Sequence, residues 1–309
     1  MTGQGPRPHG LPAASRCLVM GVVNVTPDSF SDGGLWFAAD EAIAHGLELA
    51  AGGADIVDVG GESTRPGALR ISEAEELNRI VPVVAALAAS GVVVSIDTMR
   101  ARVAERALAA GARLVNDVSG GLSDPEMTAL IAESGVPYVV MHWRGQSVDM
   151  DTRAVYSDVV AEVAAELTTR ITALVAAGVD PGKLIVDPGL GFAKQPAHNW
   201  ALLARLRDIG CLPHPGAPFP VLVGASRKRF IGRLLAASTD EPRPFADCDD
   251  ATIALTALAA TAGAWCVRVH AVPGNADAVR VAARWHEEVA ASAAAEARHA
   301  EAAAREVTR

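Results

Sequence analysis

The chain has 309 residues, half of them hydrophobic and 20% charged, which excludes global disorder and provides material for a sizeable core. A net charge of −9 at pH 7 excludes the basic face that general nucleic-acid binding requires. Four scattered cysteines without a Cys-x-x-Cys pair exclude a disulfide frame and a thiolate zinc site.

Residues 1–16 are rich in Pro and Gly and hold no apolar core of signal-peptide length. They read as a flexible N-terminal tail, and the protein as cytoplasmic, so the Asn24-Val25-Thr26 sequon carries no glycosylation message. The first apolar run, 17–24, ends at Asn24 and is followed by a long polar loop, 24–38. A helical stripe of Ile43, Leu47 and Ala50 over 39–52 stops at Gly52-Gly53. Run 54–60 carries Asp58, and loop 60–71 follows. A helix over 72–90 opens with a capping box, Ser72 and Glu75. Run 92–97 ends at Asp97, ahead of a helix over 100–110. Run 113–117 brings Asn116. Asp124 then caps a helix with Pro125 in its first turn and Gly135 beyond its end.

Run 136–143 delivers His142, and loop 143–155 leads to a helix over 156–177. Run 183–187 ends at Asp187, before a helix over 197–209. Pro213, Pro215 and Pro218 form a rigid approach to run 220–226, which ends at Ser226. An acidic excursion over 239–249 precedes a helix over 250–262. Run 265–270 presents Arg268 and His270, and a last helix covers 277–290. Residues 291–309 are an Ala/Glu/Arg-rich C-terminal extension, solvated and without an assigned role. The uncharged stretch 251–267 is no membrane span, because Gly263 divides it into helix and strand and Arg268 follows at once.

Unbroken apolar runs are the mark of strands buried on both faces, as in parallel sheets. Eight such runs alternating with helices predict a single-domain (β/α)8 TIM barrel over 17–290. A doubly wound open sheet would bind ligand at one switch point and would leave polar residues at nearly every strand exit unexplained.

These exits carry the chemistry. Asp97 and Asn116 on neighbouring strands suit a flat heterocycle with adjacent donors and acceptors. In Asp187-Pro188-Gly189-Leu190-Gly191-Phe192-Ala193-Lys194, Pro188 keeps Asp187 extended and aims its carboxylate into the mouth, with Phe192 as an apolar wall. The first two loops, with Phe30 in one and Arg65 in the other, suit closure over a ligand and oxyanion binding. Each taken alone is equally an ordinary surface turn. Strands seven and eight adjoin strand one in a barrel, so Arg268, His270, Asn24 and Arg65 converge on one anion. The dense basic cluster of Arg227, Lys228, Arg229 and Arg233 suits a small anion. His142 and Trp143 read as mouth-lining bulk, with a general-base role for His142 as the alternative.

Together NVTPDSFSDGG, VGGESTRPG, SIDT, NDVSGG, DPGLGFAK, GASRKRF and RVH, in order over about 17–281, resemble the dihydropteroate synthase family. The resemblance implies condensation of 6-hydroxymethyl-7,8-dihydropterin pyrophosphate with 4-aminobenzoate, giving 7,8-dihydropteroate and pyrophosphate in folate biosynthesis. It implies a pterin pocket of Asp97, Asn116, Met141, Asp187, Gly224, Lys228 and Arg268. Asn24, Arg65, Arg268 and His270 would hold the pyrophosphate, with Mg2+ at Asn24. Phe30, Thr64, Pro66, Phe192 and Ser226 would shape the aminobenzoate pocket. Asp187, Lys228, Arg65 and Asp32 would carry the catalysis, Asp32 and Phe30 from a closing loop. It further implies sulfonamide inhibition, a homodimer, and neither nucleic-acid nor membrane partners. One departure is visible: after RVH the family commonly continues with Asp, and here Ala271 follows. A non-catalytic paralogue would be expected to lose Arg65, Asp187, Phe192 or Lys228, all of which are present. The pterin-binding barrel of methyltetrahydrofolate methyltransferases would not need the anion-binding set, and a metal-dependent aldolase or isomerase would need a His/carboxylate cluster that is missing.

Overall fold

A computed structural model describes residue 8 and residues 10–25, 35–62, 70–145, 152–213, 218–236 and 241–307. Eight strands form one parallel sheet: β1 (Leu18–Asn24), β2 (Ile56–Gly60), β3 (Val94–Asp97), β4 (Leu114–Asp117), β5 (Tyr138–Met141), β6 (Leu184–Asp187), β7 (Leu222–Val223) and β8 (Cys266–Val269). Pairing runs β6-β5-β4-β3-β2-β1-β8-β7. The remaining seam closes through a parallel bridge between Val186 and Val221, with Val186 N donating to Pro220 O at 2.9 Å. The molecule is therefore a TIM barrel, as its alternating pattern predicts.

Period-two alternation decides what the barrel holds. Leu18, Met20, Ile56, Leu114, Val139, Ile185, Leu222 and Cys266 form one buried cluster, with Leu11, Ala14, Val93 and Trp265 packed against it. Two residues further along six of these strands, the same inward phase carries Asp58, Asn116, Met141, Asp187, Gly224 and Arg268. The opposite phase (Val57, Val59, Val115, Val140, Val186, Val223, Val267) belongs to the apolar core shared with the helices. Apolar residues on both phases below, and polar residues on the inward phase above, produce a plugged barrel with a polar mouth.

The helices are α1 (Leu35–Ala51), α2 (Glu73–Ala89), α3 (Ala101–Ala109), α4 (Pro125–Ser134), α5 (Val159–Ala176), α6 (Pro196–Ala204), α7 (Leu206–Gly210), α8 (Arg229–Leu234), α9 (Asp249–Thr261) and α10 (Val272–Val307). Ser72 accepts from Glu75 N at 3.2 Å, but the Glu75 carboxylate turns to Arg79 Nε at 2.7 Å, so only half of the expected capping box forms. Asp124 caps α4 through Glu126 N at 3.0 Å and also accepts from Ala101 N at 2.8 Å, serving the first turn of α3. Gly135 ends α4 in the left-handed region, φ 60. The helix expected over 197–209 breaks at Arg205, and the basic segment after β7 forms the unexpected α8.

The last helix begins earlier than expected and runs unbroken through the C-terminal extension to Val307. At the other end, Arg16 makes a two-armed ion pair with Asp55, at 2.7 and 2.9 Å, and Leu11 and Ala14 pack on the lower cluster. These residues of the predicted tail thus contact the barrel floor.

Candidate active site

The inward phase of the upper barrel brings together side chains that are far apart in sequence. Asn116 Nδ2 donates to Asp58 Oδ2 at 2.9 Å, and Arg268 Nε donates to the same oxygen at 2.6 Å. Arg268 Nη2 donates to Asp97 Oδ2 at 2.7 Å. Gly224 marks the centre of convergence: its Cβ position would lie 3.8 Å from Asp187 Oδ2, 3.8 Å from Lys228 Nζ and 4.0 Å from Arg268 Cβ. Met141 is buried in the same layer.

Burial governs the protonation of these groups. It lifts Asp97 to about 7, against the pull of Arg268 and with a further push from Asp58. It raises Asp187 as well, opposed first by Lys228. Lys228 is lowered to about 8 by burial, with Asp187 opposing.

The segment after β6 is held at almost every residue. Gly189 N donates to Asp187 Oδ1 at 2.7 Å, Lys228 Nζ donates to Leu190 O, and Gly191 N donates to Asn199 Oδ1 at 2.7 Å. Lys194 Nζ donates to Phe192 O at 3.1 Å, and Tyr156 OH to Ala193 O at 3.1 Å. Gly189 requires its φ of +68, and a Cβ there would strike the His142 carbonyl. Phe192 meets the Lys228 ammonium 4.7 Å from its ring centre.

After β7, Ser226 Oγ lies 2.9 Å from His270 Nδ1 and accepts from His270 N at 3.3 Å. Residues expected in two different subsites are thereby coupled. Arg227, between Ser226 and Lys228, adopts a left-handed φ of 56, and its guanidinium grips Asp249 at 3.1 and 2.9 Å. Asn24 ends β1 half-buried, in register with Gly60. Phe30, Asp32, Thr64, Arg65 and Pro66 lie outside the described residues. Both flanks of the second loop are anchored: Arg70 Nε donates to Glu62 Oε1 at 3.1 Å, and Arg79 Nη1 to Gly61 O at 3.2 Å. Arg100 pairs with Glu62 and with the buried Glu76.

His142 is buried at the mouth between two partners of the protein's own. Its Nδ1 accepts from Lys194 Nζ at 2.9 Å, so its Nε2–H faces Glu166 Oε2 at 2.9 Å. Burial and Lys194 lower it to about 4, and burial lowers Lys194 itself to about 7. Sequence reasoning missed Lys194 and the weight of Asp58. For Asp58 a signal was present, since it lies two residues past Ile56 on the inward phase. Lys194 offered none, because its partner is 52 positions away.

Residues 20–270 match the pterin binding enzyme family. A dihydropteroate synthase of Mycobacterium leprae is 56% identical over 268 residues, covering 86% of this chain and 93% of that protein. The chain belongs to the dihydropteroate synthase family. Among solved structures, Yersinia pestis dihydropteroate synthase in a sulfonamide drug complex superposes with a TM-score of 0.82 at 38% identity, covering 92% of this chain and 99% of the other. The Xanthomonas albilineans enzyme in complex with 7,8-dihydropteroate gives a TM-score of 0.77 at 39% identity, covering 93% and 99%. The family match spans every motif from the β1 exit to RVH. At the departure after RVH, the Ala271 carbonyl accepts from Asn275 Nδ2, whose Oδ1 accepts from Thr256 Oγ1, both at 2.6 Å. Position 271 is thus tied into the α9–α10 contact.

Proposed function

We propose that this protein condenses 6-hydroxymethyl-7,8-dihydropterin pyrophosphate with 4-aminobenzoate, releasing pyrophosphate and forming 7,8-dihydropteroate. The observation that carries this is the convergence at the barrel mouth of Asp187, Lys228 and Arg268 around Gly224, with Arg268 bonded to Asp97 and to Asp58, which also holds Asn116. Carboxylates and a carboxamide read the ring edge, and Met141 and Arg268 cover its faces. The C–O bond to pyrophosphate breaks, the arylamine nitrogen bonds to the freed methylene, and a proton leaves that nitrogen. Asp187 stabilises the electron-poor ring while Lys228 holds its polar edge. No separate nucleophile is required, because the arylamine is itself nucleophilic.

The anion subsite comprises Asn24, Arg65, Arg268 and His270. Among the described residues, bonds to Asp58 and Asp97 engage Nε and Nη2 of Arg268 and none engages Nη1, which can turn to an anion. Asn24 supplies a hard amide oxygen, and Mg2+ commonly takes one or two protein oxygens with the rest from substrate phosphates and water. Asn24 would hold Mg2+ through that oxygen, and the ion would neutralise charge on the departing pyrophosphate. Phe192 and Ser226 would shape the aminobenzoate pocket, to which the family resemblance also assigns Thr64, Pro66, Phe30 and Asp32, outside the described residues. Sulfonamides are then expected to compete with 4-aminobenzoate.

The working unit is a cytoplasmic homodimer. Val281, Trp285 and Val289 recur every fourth residue on α10 and are exposed, as is Leu258 on α9. Among the described residues no helix is long and apolar enough to cross a membrane. The deciding experiment is pyrophosphate release from the pterin pyrophosphate, in Mg2+, with and without 4-aminobenzoate. Release and dihydropteroate formation dependent on both substrates are expected, and their absence with folded protein overturns the proposal.

A further inference from the structure

Asp58 is fully buried on β2 and has no task in the chemistry above. Its position is unusual in the barrel. Along the sheet β2 lies two strands from β4 and two strands from β8, and Asp58 Oδ2 accepts a hydrogen bond from each, from Asn116 and Arg268. Its other oxygen, Oδ1, is equally buried and has no hydrogen-bond partner among the described residues. Neither has Ser95 Oγ, which sits in register with Asp58 on β3. A buried carboxyl kept only for packing would ordinarily be satisfied on both oxygens. Here the bonds on one oxygen go to two side chains assigned above to the pterin pocket.

We propose that Asp58 is the positioning residue of the pterin pocket, fixing the Asn116 amide and the Arg268 guanidinium for the incoming ring. The inference rests on the assignment of the barrel mouth to a pterin. Donation from Asn116 Nδ2 to Asp58 settles which way the amide points and leaves its oxygen as an acceptor for ring N–H groups. Arg268 is held by Nε to Asp58 and by Nη2 to Asp97, so its plane is set from two sides and can lie against a ring face. The same carboxyl acts on Asp97 through its charge. The groups facing Asp97 are Arg268 from β8, Asp58 from β2, Glu76 from α2, Asp117 from β4 and Lys228 after β7. Removing the charge at position 58 leaves Asp97 easier to ionise, and it is the ionised form that accepts from a pterin N–H.

Two substitutions separate placement from charge. In Asp58→Asn the amide oxygen can still face Asn116 and Arg268 while its NH2 turns toward the Ser95 side, so geometry survives and charge is lost. Asp58→Ala removes both. Steady-state kinetics with both substrates varied, and calorimetry with 6-hydroxymethyl-7,8-dihydropterin pyrophosphate as the probe, give the readouts. Asp58→Ala is expected to raise the pterin KM roughly tenfold or more and to change the aminobenzoate KM by less than about threefold. Asp58→Asn is expected to raise the pterin KM less, and to move the acid limb of its kcat/KM profile to lower pH. Equal rises in both KM values, or an unmoved acid limb in Asp58→Asn, would overturn the proposal. Should Asp58→Ala fail to fold, the Asp58→Asn limb alone decides. If the wild-type protein neither binds the probe nor turns over, the pterin assignment fails first, and the role of Asp58 falls with it. An active wild type with unaffected variants sinks the Asp58 role alone.

Discussion

Asp187 joins three roles in one buried side chain: it ends β6, accepts from Gly189 N and faces Lys228 across the mouth. Asp187→Asn keeps the shape and the acceptor oxygen, so its effect belongs to chemistry more than to folding. We expect kcat to fall by roughly a hundredfold, the order lost on removing one preorganised electrostatic partner, with little change in thermal midpoint. Steady-state rates beside a thermal melt check this, and equal rates with a lowered midpoint would contradict it. His142 carries a different prediction. Its folded-state value of about 4 lies below the ordinary 6.5, so the folded protein resists protonation there. The stability it contributes is fully present above pH 6.5 and is lost as pH falls through 4, on the order of 3 kcal/mol by linkage. Asp97, lifted to about 7, acts in the opposite sense over the same window. The measurement is therefore the difference between wild type and His142→Gln in denaturant unfolding from pH 7 to pH 4. That difference should shrink with acid; a constant gap would rule out the buried neutral histidine.

Among the elements, Asp124 was recognisable as the cap of α4, but its second bond to Ala101 N was not, because 23 residues separate them. One carboxylate thus serves the first turns of two successive helices. Asp124→Ala is expected to cost about 2 kcal/mol, toward the upper end of the range for a helix cap. It should lower the urea midpoint without altering the m-value. A loss under half that size would mean that water replaces both bonds without penalty. Local signals also located the strands, since each apolar run became a strand, usually trimmed by one or two residues. They failed at Arg205, where the backbone leaves helical geometry within an apolar pattern, and at Arg229–Leu234, too short a helix to show periodicity. α10 starts at Val272, earlier than the expected 277, since a helix tolerates Pro273 in its first turn.

Across the whole molecule, α10 extends along α9 and carries Trp285, 66% exposed, between Val281 and Val289. Such a stripe on a solvent-facing helix marks an interface when several large side chains align. Light scattering during size exclusion should find wild type at twice the monomer mass and Trp285→Glu at the monomer mass. A wild-type monomer, or a variant still fully dimeric, would remove this face from consideration.

The sequence by itself determined the barrel and the membership of its mouth. Apolar runs buried on both faces admit few architectures, and a period of two carries the inward phase from Ile56 to Asp58, from Leu114 to Asn116 and from Ile185 to Asp187. Only the tertiary structure decided which of those residues touch. Curling the sheet sets the angular position of each strand and so brings Arg268 to Asp58 across 210 positions, while pairing of β5 with β6 brings Lys194 to His142 across 52. Spacing along a strand is a local property, readable from residue types. Distance across a barrel depends on strand tilt, register and the final closing seam, which no local pattern encodes.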